Sequence, residues 1–389
     1  MDAPAIPTAD LDRALAGLPV DRLDSVESLR NKLRLRDYDL LILPHGSAFP
    51  IAAWVELRAF LNRGGGLVVF GGAPFHQPVR EVDGEFVLGV RQPTFADDLK
   101  LGPYDLWEPG AEATRAEAVA VSEWSGDAPE VGRVFALTVR LGNAPDSPLD
   151  HGSEAYRDAV LRPLVHRLDA DGLPRACPLL EIDRLRGPGA GSRWVLAPTD
   201  GRLSPGLLRA MVERAFEGAS QLTVRPIYAS VESDETPVVR VMQRRPGGRP
   251  GEAAPGSAEV VVRRVDGDEV FRGVADLVGE PEARYGRLDV DLPGTWAPGL
   301  YEVEVETPDA PWHPRRATTG FWVRDEALLK SGEPVTASRD WLRVGGEVLP
   351  VVGATYMASD VHRKFLFEPD PALWDRDFAE MRRLGVNFV

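Results

Sequence analysis

The sequence predicts three consecutive fold types: an α/β domain over residues 1–230, an all-β sandwich over 231–325, and a linker, hairpin, helix and strand over 326–389. Two short apolar runs, Asp39–Leu43 and Leu67–Phe70, flank a helical segment and indicate buried parallel strands of a βαβ unit. In the second region strand-like runs follow one another without helices, which is typical of antiparallel sheets. A chain of 389 residues fits two or three domains of this kind.

Composition excludes several classes of partner. The net charge of -15 argues against nucleic acid and against an anionic membrane, because both require a basic surface. The sequence contains no run of 18 apolar residues, so no membrane span is predicted. The N-terminus lacks the basic and apolar regions of a secretory signal. We therefore expect a cytoplasmic protein, or an exported one if the beginning is clipped. Cys177 is the only cysteine, and the six histidines show no metal-ligand spacing, so neither a disulfide, a metal nor a cofactor is predicted.

The first domain carries a motif in its βαβ unit. The helix predicted over Ile51–Asn62 ends at a glycine run, and the strand after it leads into Gly71 and Gly72. This region, YDLLILPHGSAFP followed by AWVELRAFLNRGGGLVVFGGAPF, resembles the class I glutamine amidotransferase-like domain. That resemblance implies a parallel sheet and a domain through which copies of the chain could form a homo-oligomer.

The same resemblance predicts that this domain is catalytically inactive. Active members carry a nucleophilic cysteine at the elbow after the second strand, with a partner histidine and glutamate. Here Gly71 and Gly72 occupy the elbow, and Gly46-Ser47 is no substitute because Phe49 replaces the glycine that a serine elbow requires. Cys177 lies far along the chain, where we expect a small buried residue at the start of an edge strand.

Further elements of the first domain follow from local signals. Residues 81–150 are predicted to form a long insertion of short strands and loops. Ser153 is expected to cap a helix running to Leu168, and residues 177–185 and 193–197 to form a hairpin. Ser25 and Ser204 are predicted to cap helices, and Gln221–Pro226 to be the last strand of the domain.

The second domain shows an alternating pattern. Tyr301, Val303 and Val305 alternate with glutamates, so one face of this strand is predicted to be buried and the other solvated. We expect nothing opposite the glutamates, and hence no catalytic carboxylate pair. Six strands of this kind predict an immunoglobulin-like sandwich; they span Pro237–Gln243, Ala258–Val265, Glu269–Val274, Arg287–Leu292, Gly299–Glu306 and Thr318–Val323.

The last region combines a hairpin, a helix and a strand. Gly345-Gly346 joins two short strands, Asp370 and Pro371 begin a helix, and Val386–Val389 starts an apolar strand. The sequence GATYM followed by WDRDFAEMRRLGVNFV resembles the start of the catalytic (β/α)8 barrel of β-galactosidase-like and cellulase-like glycoside hydrolases. A barrel needs about 250 residues, so the resemblance implies a truncated barrel and a longer parent protein.

The resemblance also fixes what we expect of the chemistry. Glycoside hydrolysis uses two carboxyl groups, which the family carries on the fourth and seventh barrel strands, beyond this chain. No catalytic residue is therefore assigned, and the chain alone is expected to be inactive. Candidate carbohydrate-binding residues lie in the loop after Val352 and combine an aromatic ring with hydrogen-bonding groups; they are Tyr356, Asp360, His362 and Arg363. Alternatively, the histidine and arginine pair with Asp360 or Glu368 and only stabilise the loop.

Two functions remain open at this point. The first is the N-terminal part of a glycoside hydrolase acting on β-linked carbohydrate. The second is a non-catalytic protein that binds carbohydrate or a partner protein. If the chain is part of a glycoside hydrolase, Asn387 lies in the first barrel strand, where we expect it to have a packing role.

Overall fold

The computed structural model describes residues 2–35, 38–110, 115–119, 122–144, 156–245, 257–265, 267–280, 285–308, 315–357 and 368–389. Within the first 219 residues, the described part contains five α-helices, a short 3₁₀ turn at Ile51–Ala53 and thirteen strands. In chain order they are α1 (Thr8–Leu15), α2 (Val26–Arg34), β1 (Leu40–Leu43), β2 (Ala48–Pro50), α3 (Trp54–Asn62), β3 (Gly66–Phe70), β4 (Gln77–Val82), β5 (Glu85–Leu88), α4 (Thr94–Asp98), β6 (Tyr104–Trp107), β7 (Arg115–Ala118), β8 (Val134–Leu137), β9 (Asn143–Ala144), β10 (Tyr156–Arg157), β11 (Ala159–Leu168), β12 (Pro174–Arg184), β13 (Arg193–Ala197) and α5 (Pro205–Phe216).

A six-stranded mixed sheet organises this region, in the order β1-β3-β13-β12-β11-β7. The parallel pairing predicted for β1 and β3 is confirmed, and β13 continues it on the other side of β3. The remaining three strands run antiparallel to their neighbours. The expectation of a parallel sheet is thus correct for one half of it, and the expectation that Cys177 begins an edge strand is wrong, because β12 lies between β13 and β11.

Helices cover both faces of this sheet. Successive residues of β3 point to opposite sides, so Leu67 and Val69 join one core while Val68 and Phe70 join the other. Helices α2 and α3 contribute Leu33 and Leu57, among others, to the first core, and α1 and α5 contribute to the second. The side chains of Ser25 and Ser204 cap α2 and α5 by accepting hydrogen bonds from backbone amides, as predicted.

The helix predicted to run from a cap at Ser153 to Leu168 is wrong over residues 159–168, and Ser153 lies outside the described residues. Residues 159–168 form β11, a ten-residue strand that pairs with β12 on one side and β7 on the other. Pro163 lies where the register with β12 shifts, and a proline is tolerated at such an irregularity because no amide is needed there. The insertion predicted over residues 81–150 is confirmed in part. Its described residues form the short strands β5, β6 and β8, which pair outside the main sheet, and the helix α4, but β7 is the edge strand of the main sheet.

Two sheets form the second region, with strands β14 (Gln221–Pro226), β15 (Ser230–Val231), β16 (Val238–Arg244), β17 (Ser257–Arg264), β18 (Glu269–Asp276), β19 (Val278–Glu280), β20 (Tyr285–Asp291), β21 (Gly299–Glu306) and β22 (Arg316–Val323). Their orders are β14-β16-β20-β19 and β15-β22-β21-β17-β18. Both sheets contribute to one core, which includes Val224, Val241, Val260 and Phe321. β14 pairs with β16 and not with the first sheet, so its predicted place as the last strand of the α/β domain is wrong.

The alternation predicted along β21 is confirmed. Tyr301, Val303 and Val305 are buried, and the glutamates between them are half-buried on the outer face. The prediction that nothing lies opposite these glutamates is wrong: Glu304 lies 3.4 Å from Arg263 and 3.3 Å from Arg316. The outer face of this sheet is therefore a network of exposed ion pairs.

The last region consists of α6 (Glu326–Ser331), β23 (Thr336–Ala337), β24 (Leu342–Val344), β25 (Glu347–Val348) and α7 (Pro371–Arg383). The predicted hairpin is confirmed, with both turn glycines at positive φ. Asp370 Oδ1 accepts a hydrogen bond from the Leu373 amide and caps α7. No helix in the described part of the chain is both long and apolar enough to cross a bilayer.

Candidate functional site

One of the four predicted carbohydrate-binding residues can be located. The hydroxyl of Tyr356 donates a hydrogen bond to Asp377 Oδ2 at 2.6 Å, and its ring packs edge-on against Phe378, with centroids 4.9 Å apart. Asp360, His362 and Arg363 lie outside the described residues. Tyr356 therefore connects the segment before the loop to α7.

A short parallel pairing joins the chain on either side of α7. The Asn387 amide donates to the Val352 carbonyl at 2.9 Å, and the Ala354 amide donates to the Phe388 carbonyl at 3.0 Å. The side chain of Asn387 reinforces this pairing, because Oδ1 accepts from the Val352 amide and Nδ2 donates to the Pro350 carbonyl. Asn387 thus has a structural role. The apolar strand predicted over Val386–Val389 is present only as one isolated parallel bridge between Gly353 and Phe388.

This last unit exposes much of its apolar surface. Phe378 on α7 is 40% exposed and Leu384 is 67% exposed, and Phe388 and Val389 are exposed beside them. Single exposed apolar residues are ordinary on a surface. Several on one small unit are typical of a surface that another element covers.

The first half of α7 is fixed on the sandwich. Arg225 lies 3.2 Å from Asp370 Oδ2, and Arg376 lies 2.9 Å from Glu302. Gly320 of β22 faces Ala372, and a Cβ added at Gly320 would lie 2.5 Å from the Cβ of Ala372. The absence of a side chain at Gly320 lets the helix approach the sheet this closely.

A second site lies at the carboxyl ends of β1 and β3. The side chain of Asp2 is buried there, with Oδ1 accepting from the hydroxyl of Ser47 at 2.7 Å and Oδ2 accepting from the amide of Ala73 at 3.1 Å. The guanidinium of Arg91 lies 3.4 Å from the same carboxylate. Sequence reasoning missed this site, because it joins residues 45 and 71 positions apart.

His76 lies close to this carboxylate. The ring is 2% exposed, Nδ1 lies 2.9 Å from the Pro74 carbonyl, and Nε2 has no hydrogen-bond partner among the described residues. Burial lowers the pKa of His76, whereas the bond to Pro74 and the charge of Asp2 raise it; the balance favours the neutral ring. Tyr104 packs edge-on against His76 and accepts a hydrogen bond from Arg91, so these three residues form one group.

A cavity of about 300 Å³ adjoins the Asp2 site. Residues 3–7 and Asp10 form one wall, and Phe70, Gly71 and residues 201–203 form the other. The lining is mainly apolar, and among the described residues Asp10 and Arg202 are the charged ones. The cavity therefore suits an apolar group at the same sheet edge that holds the carboxylate.

Cys177 shows no sign of activation. Its thiol donates to the Leu179 carbonyl at 3.1 Å, and burial raises the pKa of Cys177 to about 12. A nucleophilic cysteine needs a lowered pKa and a basic partner, and this thiol has neither property. Among the described residues, no three histidine, cysteine or carboxylate side chains cluster as metal ligands would.

A buried ion cluster connects β11, β12, β13 and α5. Arg214 contacts both oxygens of Glu181 at 2.7 and 3.2 Å, and Arg193 contacts both oxygens of Asp183 at 2.7 and 2.9 Å. Arg162 bridges the two carboxylates. Burial alone would raise the pKa of Glu181, but these arginines lower it to about 2. The two carboxylates are closed off from solvent and paired with arginines, and Arg193 also pairs with Glu217, so this cluster is structural.

No protein-family model matches the chain, and no curated protein matches it either.

Proposed function

We propose that this chain is the N-terminal part of a glycoside hydrolase acting on β-linked carbohydrate, with catalytic carboxylates outside the chain. One observation carries the proposal: α7 returns the chain beside the segment that precedes it, where Gly353 and Phe388 form a parallel bridge, as a helix leading into the first barrel strand would. The exposed apolar side chains of Phe378, Leu384 and Phe388 support it, because the remaining barrel would cover them.

The two preceding regions are compatible with accessory domains. The parallel strands β1, β3 and β13 with helices on both faces support an amidotransferase-like domain, although the antiparallel half of the sheet departs from that pattern. The protonated thiol of Cys177 agrees with an inactive one. The two packed sheets of the second region support an immunoglobulin-like sandwich.

The test is to express this chain together with the residues encoded after Val389 and to assay hydrolysis of p-nitrophenyl β-galactoside and β-glucoside. We expect turnover that falls at least 100-fold when either of two glutamates at barrel strand ends is replaced by glutamine. Residues 1–389 alone are the control and should show no turnover. A continuation that encodes no barrel, or turnover by residues 1–389 alone, would refute the proposal.

Tyr356 provides a test of its predicted role in carbohydrate binding. Its hydroxyl is already bonded to Asp377, so Tyr356→Phe in the full protein removes that bond and leaves the ring in place. A carbohydrate contact predicts a raised KM with little change in the stability of the last unit. A purely structural role predicts faster amide exchange in α7 with an unchanged KM.

The alternative, a non-catalytic carbohydrate-binding protein, is favoured by two exposed aromatic rings. Trp341 and Tyr228 are 59% and 70% exposed, and exposed rings can stack on sugars. Affinity electrophoresis of residues 1–389 in gels containing β-glucan tests this function. Retardation that is lost in Trp341→Ala or Tyr228→Ala would favour binding over the accessory role.

A further inference from the structure

We propose that the carboxyl edge of β1 and β3 is a binding site for a short aliphatic monocarboxylate, which the side chain of Asp2 occupies in the structure. The inference does not rest on the proposed glycosidase function. It starts from the observation that a carboxylate is bound there on both of its oxygens by groups from distant parts of the chain.

The contacts are those of a carboxylate-binding site. Oδ1 of Asp2 accepts from the Ser47 hydroxyl at 2.7 Å and lies 3.4 Å from the Ser47 amide. Oδ2 accepts from the Ala73 amide at 3.1 Å and lies 3.4 Å from Arg91. Backbone amides combined with a guanidinium are a common means of binding a carboxylate. In open α/β sheets, ligands bind outside the carboxyl ends of the parallel strands, which is where this site lies.

The backbone of the site leaves room for a carboxylate. Gly71 and Gly72 have φ values of +83° and +68°, and a side chain at Gly72 would overlap Oδ1 of Asp2. Ser47 is fully buried, so its hydroxyl is directed into the protein and not to solvent. The donors are thus positioned by β1 and β3, whereas the acceptor is contributed by a segment outside the sheet.

The segment that follows Asp2 packs on the core through Ile6. Residues 3–7 form neither helix nor strand, and α1 begins only at Thr8. Movement of these residues would remove Asp2 from the site and leave the Ser47 and Ala73 donors in place. The neutral imidazole of His76, with its buried and unpartnered Nε2, would provide a further polar group beside an incoming ligand.

The chemistry of the ligand follows from the surroundings. Residues 3–7, which follow Asp2, form one wall of the cavity of about 300 Å³, and Phe70, Gly71 and Leu203 line it as well. A ligand that displaces residues 2–7 would place its carboxylate on Ser47 and Ala73 and its apolar chain along Phe70, Gly71 and Leu203. A short fatty acid fits this combination better than a dicarboxylate or a phosphate.

The experiment is a calorimetric titration of the whole chain with butyrate, acetate and inorganic phosphate. Asp2→Ala vacates the site, and we expect it to bind one butyrate per chain at least tenfold more tightly than the wild type. Butyrate should bind more tightly than acetate by about fourfold for each buried methylene. Phosphate binding equal to that of butyrate would overturn the assignment to monocarboxylates.

Matched variants separate the site from the N-terminal segment. Asp2→Asn fills the site with a neutral group of the same shape and should bind like the wild type. Asp12→Ala removes an exposed carboxylate of the same N-terminal region, paired with Arg22, and should also bind like the wild type. Adding Arg91→Ala to Asp2→Ala should weaken butyrate binding at least tenfold. No saturable binding by folded Asp2→Ala would refute the proposal.

A measurement on the wild type applies if Asp2→Ala does not fold. Saturating butyrate should then displace Asp2 and residues 3–7, so amide hydrogen exchange of Asp10 and Leu11, which donate to the Pro7 carbonyl, should rise at least tenfold. Unchanged exchange at these two amides would overturn the proposal.

Discussion

Replacing Glu181 by glutamine should destabilise the α/β region by about 3 kcal/mol at pH 7. An ordinary glutamate has a pKa near ~4.3, and the arginines hold the pKa of Glu181 at about 2. At about 1.4 kcal/mol per pKa unit, this difference corresponds to about 3 kcal/mol of folding free energy. Breaking a buried ion pair by removing one partner costs about 3–5 kcal/mol, which agrees.

The effect should depend on pH in a definite direction. Because the pKa of Glu181 is lowered on folding, the stabilisation is complete above the unfolded pKa, near ~4.3, and is lost as the pH falls toward about 2. The difference in unfolding free energy between wild type and Glu181→Gln should therefore shrink as the pH falls from about 5 to about 2. A difference that grows on acidification would contradict this reasoning.

Amide hydrogen exchange is the appropriate assay, because it reports on β12 and β13 separately from the sandwich. The control is Glu213→Gln, which removes an exposed pair with Arg209 on α5 and should cost less than about 0.5 kcal/mol. If Glu181→Gln costs no more than Glu213→Gln, the ion cluster does not stabilise the fold through its charges.

Three further predictions concern the remaining sites. Gly320→Ala should loosen α7, because the new methyl overlaps Ala372. We expect the free energy that holds α7 on the sheet to fall by about 1–3 kcal/mol, measured as faster amide exchange in α7. Unchanged exchange would contradict the close contact. Asn387→Ala should remove two side-chain hydrogen bonds and destabilise the pairing of the two segments by about 1–2 kcal/mol. Amide exchange at Val352 should then rise roughly tenfold or more. Protection equal to that of the wild type would show that the backbone hydrogen bonds alone hold the two segments together. Cys177 should resist iodoacetamide at pH 8 while folded and react once unfolded, because its pKa of about 12 keeps the thiol protonated; rapid labelling of the folded protein would contradict this.

Sequence patterns predicted the helices and the turn whose ends are set by capping or turn residues within the same segment. The serine and aspartate caps of α2, α5 and α7 and the glycine turn before β25 are all found where expected. Alternation predicted the buried face of β21, because one side of that strand packs on a single core.

Contacts between distant segments could not be predicted in this way. The residues of β11 have helical periodicity, but pairing with strands on both sides outweighs that preference. The Asp2 site depends on contacts with residues 45 and 71 positions away in the chain. A local sequence motif cannot predict contacts between residues so far apart. Arg263 and Arg316 likewise come to flank Glu304 only through strand register.

The attachment of α7 has a mechanical consequence. Its contacts with the sandwich fall between Asp370 and Arg376, within its first two turns, so the remainder of the helix acts as a lever arm. From Ala372 to Leu384 this arm is about 18 Å long, and a tilt of about 10° at its base would move its end by about 3 Å. The outer sheet of the sandwich therefore sets the direction in which the chain leaves Leu384, and small changes at Gly320 would be amplified at Val386–Val389.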